Sequence, residues 1–181
     1  MSISTYRIPS KHPDEENRER AVIRSGVLTL VQRQALTPVL NVVRDELGVA
    51  GSGITIVYQE SAILVAAAGF PVGVYDRATS FCAHAILNPD EPLIISDTRN
   101  DERFCGNPFV GKAEGVLFYA AIALVDDDNL PLGTLWVFDA KPREALTSGE
   151  IAFLRRVSQA VTALLRRHAG AGVAPHRTAR G

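Results

Sequence analysis

Two long apolar stretches, Val116–Val125 and Leu130–Ala140, are separated only by Asp126-Asp127-Asp128-Asn129. Short acidic and amide side chains favour turns because they bond back to the local backbone and tolerate left-handed conformations. The pattern predicts an antiparallel hairpin whose strands are too apolar to stand alone in water. A long amphipathic helix follows it. Thr147 with Glu150 fits a capping box, and Ile151, Leu154, Val157, Val161, Leu164 and Leu165 fall on one stripe.

The chain upstream supplies more helices and strands. Asp14, with Asn17 as a competitor, offers a helix N-cap, and Glu15, Glu16 and Glu19 sit where the helix dipole favours negative charge. Val22, Ile23, Leu28, Leu30 and Val31 then predict an amphipathic helix interrupted near Gly26. Thr37-Pro38 reads as the start of a second helix, with Leu40, Val43 and Leu47 at helical spacing and Gly48 as its stop. Gly51-Ser52-Gly53 opens a β region in which Ile54, Ile56 and Tyr58 alternate with Thr55, Val57 and Gln59. A second strand covers Ile63–Ala67, and Gly69, Pro71 and Gly73 break it into a loop. Thr79 is read as the cap of a short helix over Ser80–Leu87. Pro89 and Pro92 end it before a strand at Leu93–Ser96. Asp97–Lys112 is long and irregular, and a loop of that kind inside a compact domain is usually functional. Strands bracketed by helices predict an α+β fold with a mostly antiparallel sheet. Residues 1–13 are read as a flexible arm, 14–168 as the domain and 169–181 as a disordered tail.

A chain of 181 residues suits one core, and 46% hydrophobic with 22% charged residues is ordinary for a soluble globular domain. A formal net charge of −1 gives no bulk attraction for nucleic acid. Apolar runs such as Ala62–Ala68 are too short to cross a bilayer, and Met1–Ser10 lacks the pattern of a signal peptide. Cys82 and Cys105 belong to no CxxC pair, so both are expected to be free thiols in a reducing cytoplasm.

One ordered set of residues narrows the reading. It comprises Ser80-Phe81-Cys82-Ala83-His84-Ala85-Ile86-Leu87, Asp97, Asp101-Glu102-Arg103-Phe104, Asn107-Pro108, Phe118-Tyr119 and Leu132-Gly133-Thr134-Leu135-Trp136-Val137-Phe138-Asp139. From about Asn17 to Arg167 the chain resembles the GAF family of small-molecule-sensing domains, in its bacterial branch with an SFCAHAI motif. The resemblance implies a GAF/PAS-like central antiparallel sheet, terminal helices on one face, and a ligand pocket on the other under a short helix and loops.

Other chemistries lack their residues. The cyclic-nucleotide pattern of some GAF domains is absent, Asn100-Asp101-Glu102 being only an echo of it. Neither cysteine is followed by the His of a bilin attachment site. His12, His84, His168 and His176 are too scattered for a metal site. The acidic turn lacks the Gly and distal Glu of an EF-hand, and no phosphate-binding glycine loop occurs. Tyr58, Phe70, Phe81, Phe104, Phe109, Phe118, Tyr119 and Trp136 form the aromatic inventory for a pocket, with Phe118 and Tyr119 on opposite faces of their strand.

The expected function is a sensory or regulatory GAF module that binds an unidentified small molecule under Thr79–Lys112 and signals through dimer or partner contacts. Asp97, Arg103, Phe104 and Tyr119 are the expected ligand-binding residues, with His84 behind them as a hydrogen-bond donor. Arg103 with Asp97 is read as a loop-fixing ion pair or an anion anchor. No catalytic or metal residue is assigned, and no cofactor. A homodimer is expected through the stripes of Asn17–Val31 and Ser148–Arg167, and any output domain is expected on a separate protein. Two alternatives stand: a cysteine-dependent enzyme resembling free methionine-(R)-sulfoxide reductases, and a ligand-free dimerisation module.

Overall fold

A computed structural model describes residues 5–28, 33–111 and 115–169. The hairpin strands, β5 (Phe118–Val125) and β6 (Pro131–Asp139), lie side by side in a six-stranded sheet, with β6 at its centre. Asn129 takes the left-handed conformation that the turn between them requires. β1 (Gly51–Tyr58) pairs with β6, then come β2 (Ser61–Ala68) and β3 (Gly73–Asp76), while β4 (Leu93–Ile95) closes the other edge beside β5. The order is β3-β2-β1-β6-β5-β4, and every pairing is antiparallel.

Three helices cover one face. α2 (Arg33–Leu47) packs on β1 and β2, α4 (Ser148–Ala169) on β5, and α1 (Glu15–Arg24) on β6. The core between them holds Leu40, Val43, Ile54, Ile56, Phe118, Leu135, Val137, Leu154 and Val161. The other face is a second apolar core, built on Trp136, Phe138 and Tyr119 beneath α3 (Phe81–Ala85) and the loop that follows β4. With both faces buried, the central strands need near-continuous apolar sequence, which is why alternation is weak in β5 and β6.

Several boundaries differ from the sequence reading. Pro38 lies inside α2 rather than at its start, while Gly48 does terminate the helix in a left-handed conformation. α1 ends at Arg24, before Gly26 with its positive φ; Leu30 and Val31 lie outside the described residues, as does the expected tail beyond 169. Ser80, not Thr79, caps α3 by accepting from the Ala83 amide, and Thr79 instead ends a preceding 3-10 turn over Arg77–Thr79. β3 was read as loop because Pro71 and Gly73 signal a break; its register against β2 outweighs them. The capping box on α4 is present, with Thr147 and Glu150 exchanging backbone and side-chain hydrogen bonds.

Within residues 1–13, expected as a flexible arm, Arg7 touches the domain. Arg7 donates its amide to the Arg103 carbonyl at 3.0 Å, and its own carbonyl meets His84 Nε2 at 2.9 Å. The stripe of α4 on which a dimer was expected is largely committed to this chain's own sheet, since Leu154, Val161 and Leu165 are in its core.

A buried ionic cluster ties α1 to the sheet. Arg18 is fully buried; it donates to the Val57 and Pro131 carbonyls and pairs with Glu15 at 2.7 Å. Arg77, also buried, reaches the same carboxylate at 2.5 Å and the Gln59 carbonyl at 2.9 Å. Burial alone would raise the Glu15 carboxyl; the hydrogen bonds from Arg18 and Arg77 outweigh it and hold the group far below the ordinary carboxylate range. Glu15→Gln should therefore destabilise the fold by about 3–5 kcal/mol, because two buried guanidinium groups lose their counter-charge. The folded value is depressed, so this contribution is present at neutral pH and is lost as pH falls below the ordinary carboxylate range. Denaturant midpoints of both chains against pH check this: their difference should shrink in acid, and a constant difference would contradict it.

Candidate functional site

The second core contains a cavity because the sheet is bare of side chains where its largest ring lies. Trp136 faces Gly53 on β1 and Ala121 on β5. A Cβ on Gly53 would overlap the indole, and one on Gly51 would overlap the ring of Phe138. The indole therefore lies over the strand, and its Nε1–H donates to Thr55 Oγ1 at 2.8 Å. Phe138 stands two residues further along β6 on the same face. Together they make an aromatic floor, with Phe70 meeting both rings edge-on at centroid distances of 5.8 and 5.4 Å.

Over this floor stand Phe81 and Cys82 of α3, Tyr75 of β3, and Phe109 and Val116 of the long loop. The hollow is open at one side and has a volume of about 70 Å³. Asn107 pins the roof: its side-chain amide donates to the Thr79 carbonyl at 2.9 Å, and its oxygen accepts from the Phe109 amide at 3.0 Å.

The polar centre of the cavity is Tyr119, whose hydroxyl lies 3.1 Å from Cys82 Sγ. Burial pushes the phenol well above the ordinary tyrosine range, and the neighbouring Cys82 adds to the rise. Thr134, buried on β6, offsets part of that rise without completing a hydrogen bond of normal geometry. Tyr119 is therefore a neutral phenol at physiological pH.

The other expected ligand residues do not line this cavity. Asp97 accepts from the Arg99 amide and pairs with the Arg99 guanidinium at 2.7 Å; Asp101 does the same with Arg103 at 2.6 Å. The expected Arg103–Asp97 pair is thus replaced by two local Asp-x-Arg pairs, each closing a turn within three residues. Phe104 is fully buried and stacks on Phe81 at 4.3 Å and 6°, supporting the roof from outside. His84 sits with its ring against Phe104. Burial lowers its pKa, opposed by the Arg7 carbonyl, so the neutral ring donates from Nε2 to that carbonyl. Of the aromatic inventory, Phe70, Phe81, Phe109, Tyr119 and Trp136 line the cavity, whereas Phe118 packs under the helices. Phe138 and Tyr75 were missed. Phe138 follows from strand alternation after Trp136, and Tyr75 was hidden by the unrecognised β3.

Among the described residues, no group of three or more His, Cys, Asp or Glu side chains is placed to hold a metal ion. No described helix is long and apolar enough to cross a membrane.

The fold is that of GAF domains. The GAF domain of an Acinetobacter phosphoenolpyruvate-protein phosphotransferase superimposes with a TM-score of 0.64 at 16% identity, over 90% of this chain and 98% of that one. The free methionine-R-sulfoxide reductase of Neisseria meningitidis, in complex with its substrate, gives 0.60 at 12% identity, over 94% and 99%. In sequence, the chain is 28% identical over 155 residues to a cyclic di-GMP phosphodiesterase of Pseudomonas aeruginosa. That match covers 86% of this chain and only 26% of the relative's length. No protein-family model matches the chain.

Two consequences are measurable. Gly53→Ala should cost about 1–3 kcal/mol by overpacking against the indole, and it should shift the fluorescence of the chain's single tryptophan. An unchanged stability and spectrum would contradict the packing described. Cys82 is buried and Cys105 exposed. A thiol reagent should therefore modify one thiol per native chain rapidly and the second only on unfolding; two fast thiols would contradict the closed roof.

Proposed function

We propose that this chain is a sensory, GAF-type module that holds a small molecule in the cavity between the Trp136–Phe138 floor and the roof formed by described residues of the segment 79–111. The observation that carries the proposal is the cavity itself. A sheet face that could be filled by ordinary side chains is instead cleared by Gly51 and Gly53 and walled with aromatic rings, the phenols of Tyr75 and Tyr119 among them. Such an apolar hollow with a few convergent polar groups suits a small ligand. Within the expected ligand set, Tyr119 is the contacting residue, while Phe104 and His84 hold the roof, and Asp97 and Arg103 shape its outer loop.

The signal leaves through contacts with a second copy or a separate signalling protein. A dimer is supported by exposed Ile23 on α1 and Val42 on α2, 58% and 60% accessible. The Pseudomonas relative, named as a cyclic di-GMP phosphodiesterase, supports control of a signalling activity as the output. Two free thiols fit a cytoplasmic setting.

Cys82 in the cavity wall favours a second reading, a thiol-dependent reductase like the structural neighbour from Neisseria. Native mass spectrometry of the purified protein separates the two. A noncovalent small molecule retained equally by the chain and its Cys82→Ser variant is expected. Loss of a sulfoxide-reducing activity on that substitution would establish the enzyme instead. An empty cavity with no response to any added small molecule would overturn the sensory reading.

A further inference from the structure

The charge distribution around the cavity specifies the chemical class of its ligand, given the binding reading above. None of the described lining residues is an Asp, Glu, Lys, Arg or His. Among the described residues, Arg77 pairs with Glu15, Arg99 with Asp97 and Arg103 with Asp101, so these charged groups near the roof are engaged away from the cavity. The lining hydroxyls are largely engaged as well. Thr55 accepts from the indole, and Ser80 caps α3. The buried Tyr119 hydroxyl beside Cys82 adds a neutral hydrogen-bonding centre to this largely apolar lining.

An anion moved from water into such a site loses its hydration and gains no counter-ion, a loss that nothing in the lining offsets. Size points the same way. The hollow's volume of about 70 Å³ is half the roughly 150 Å³ of an apolar cavity that binds benzene. A single ring therefore enters only if the half-buried Phe70 and Phe109, both on loops, give way at the mouth. A nucleotide is far beyond this range.

We infer that the cavity is a receptor site for a small, uncharged, mainly apolar molecule of at most one ring, read by Tyr119 through a single hydrogen bond. Carboxylates and nucleotide phosphates are excluded. The cyclic dinucleotide in the name of the Pseudomonas relative then belongs to the output side and does not enter this site.

Fluorine NMR with three probes of similar size tests the inference: fluorobenzene, para-fluorophenol and para-fluorobenzoate. Cyclic di-GMP is the fourth probe, and fluorescence of Trp136 is read in parallel. The two uncharged rings should bind and perturb Trp136, with para-fluorobenzoate weaker by about ten-fold or more. Tyr119→Phe keeps the ring and removes the hydroxyl. It should weaken para-fluorophenol about five-fold, the size of one hydrogen bond, and leave fluorobenzene unchanged. Binding of para-fluorobenzoate or cyclic di-GMP at Trp136 with comparable affinity would overturn the inference while leaving the sensory reading intact. So would a charged compound found bound to the purified protein. Silence from both uncharged rings would also overturn the inference.

Discussion

The structure depends on one packing constraint, an indole laid over a strand with nothing beneath it but backbone. Trp136 can lie there only because Gly53 has no side chain and Ala121 has a short one. Its N–H is then buried and must find a partner, which Thr55 supplies from the neighbouring strand. Phe138 repeats the arrangement over Gly51. Flat rings over a thin sheet leave height under the roof, whereas upright aliphatic side chains would have filled it. The opposite face shows that ordinary solution, with Ile54, Ile56, Leu135 and Val137 closing against three helices.

Charge is kept out of this hollow by local pairing. Arg18, Glu15 and Arg77 form a buried cluster that joins α1 to the β1–β2 turn and to the turn before α3. Asp97 and Asp101 each take a backbone amide and a guanidinium from the arginine two residues on. Closing so short a loop costs little chain entropy, which favours these local pairs over longer-range partners. The N-terminal segment adds a tie across the roof through Arg7, Arg103 and His84. The described part of the roof is thus polar outside and aromatic inside.

Much of the fold was legible because its signals are local. The acidic turn, the Thr147–Glu150 box and the stop at Gly48 each act within a few residues, and each stands where the sequence placed it. β3 was not legible, since its stability comes from pairing with β2 rather than from its own sequence. Thr79 and Ser80 are equally good caps in isolation, and only the 3-10 turn ending at Thr79 separates them. The site was harder to read. Charged residues of the long loop attract notice as ligand groups, yet their partners lie two positions away. The informative pattern was the absence of side chains at Gly51 and Gly53, opposite Phe138 and Trp136, and it becomes visible only once β1 is paired with β6.

The central claim is that small molecules act on this protein at the aromatic floor. Because the chain has a single tryptophan, its indole N–H gives one resolved signal in a proton–nitrogen NMR spectrum. Titration with an uncharged single-ring compound should move that signal together with the amides of Tyr119 and Phe81, and leave Asp97 and Arg99 largely still. A response concentrated on Asp97, Arg99 and Arg103, with the Trp136 indole unmoved, would contradict the account.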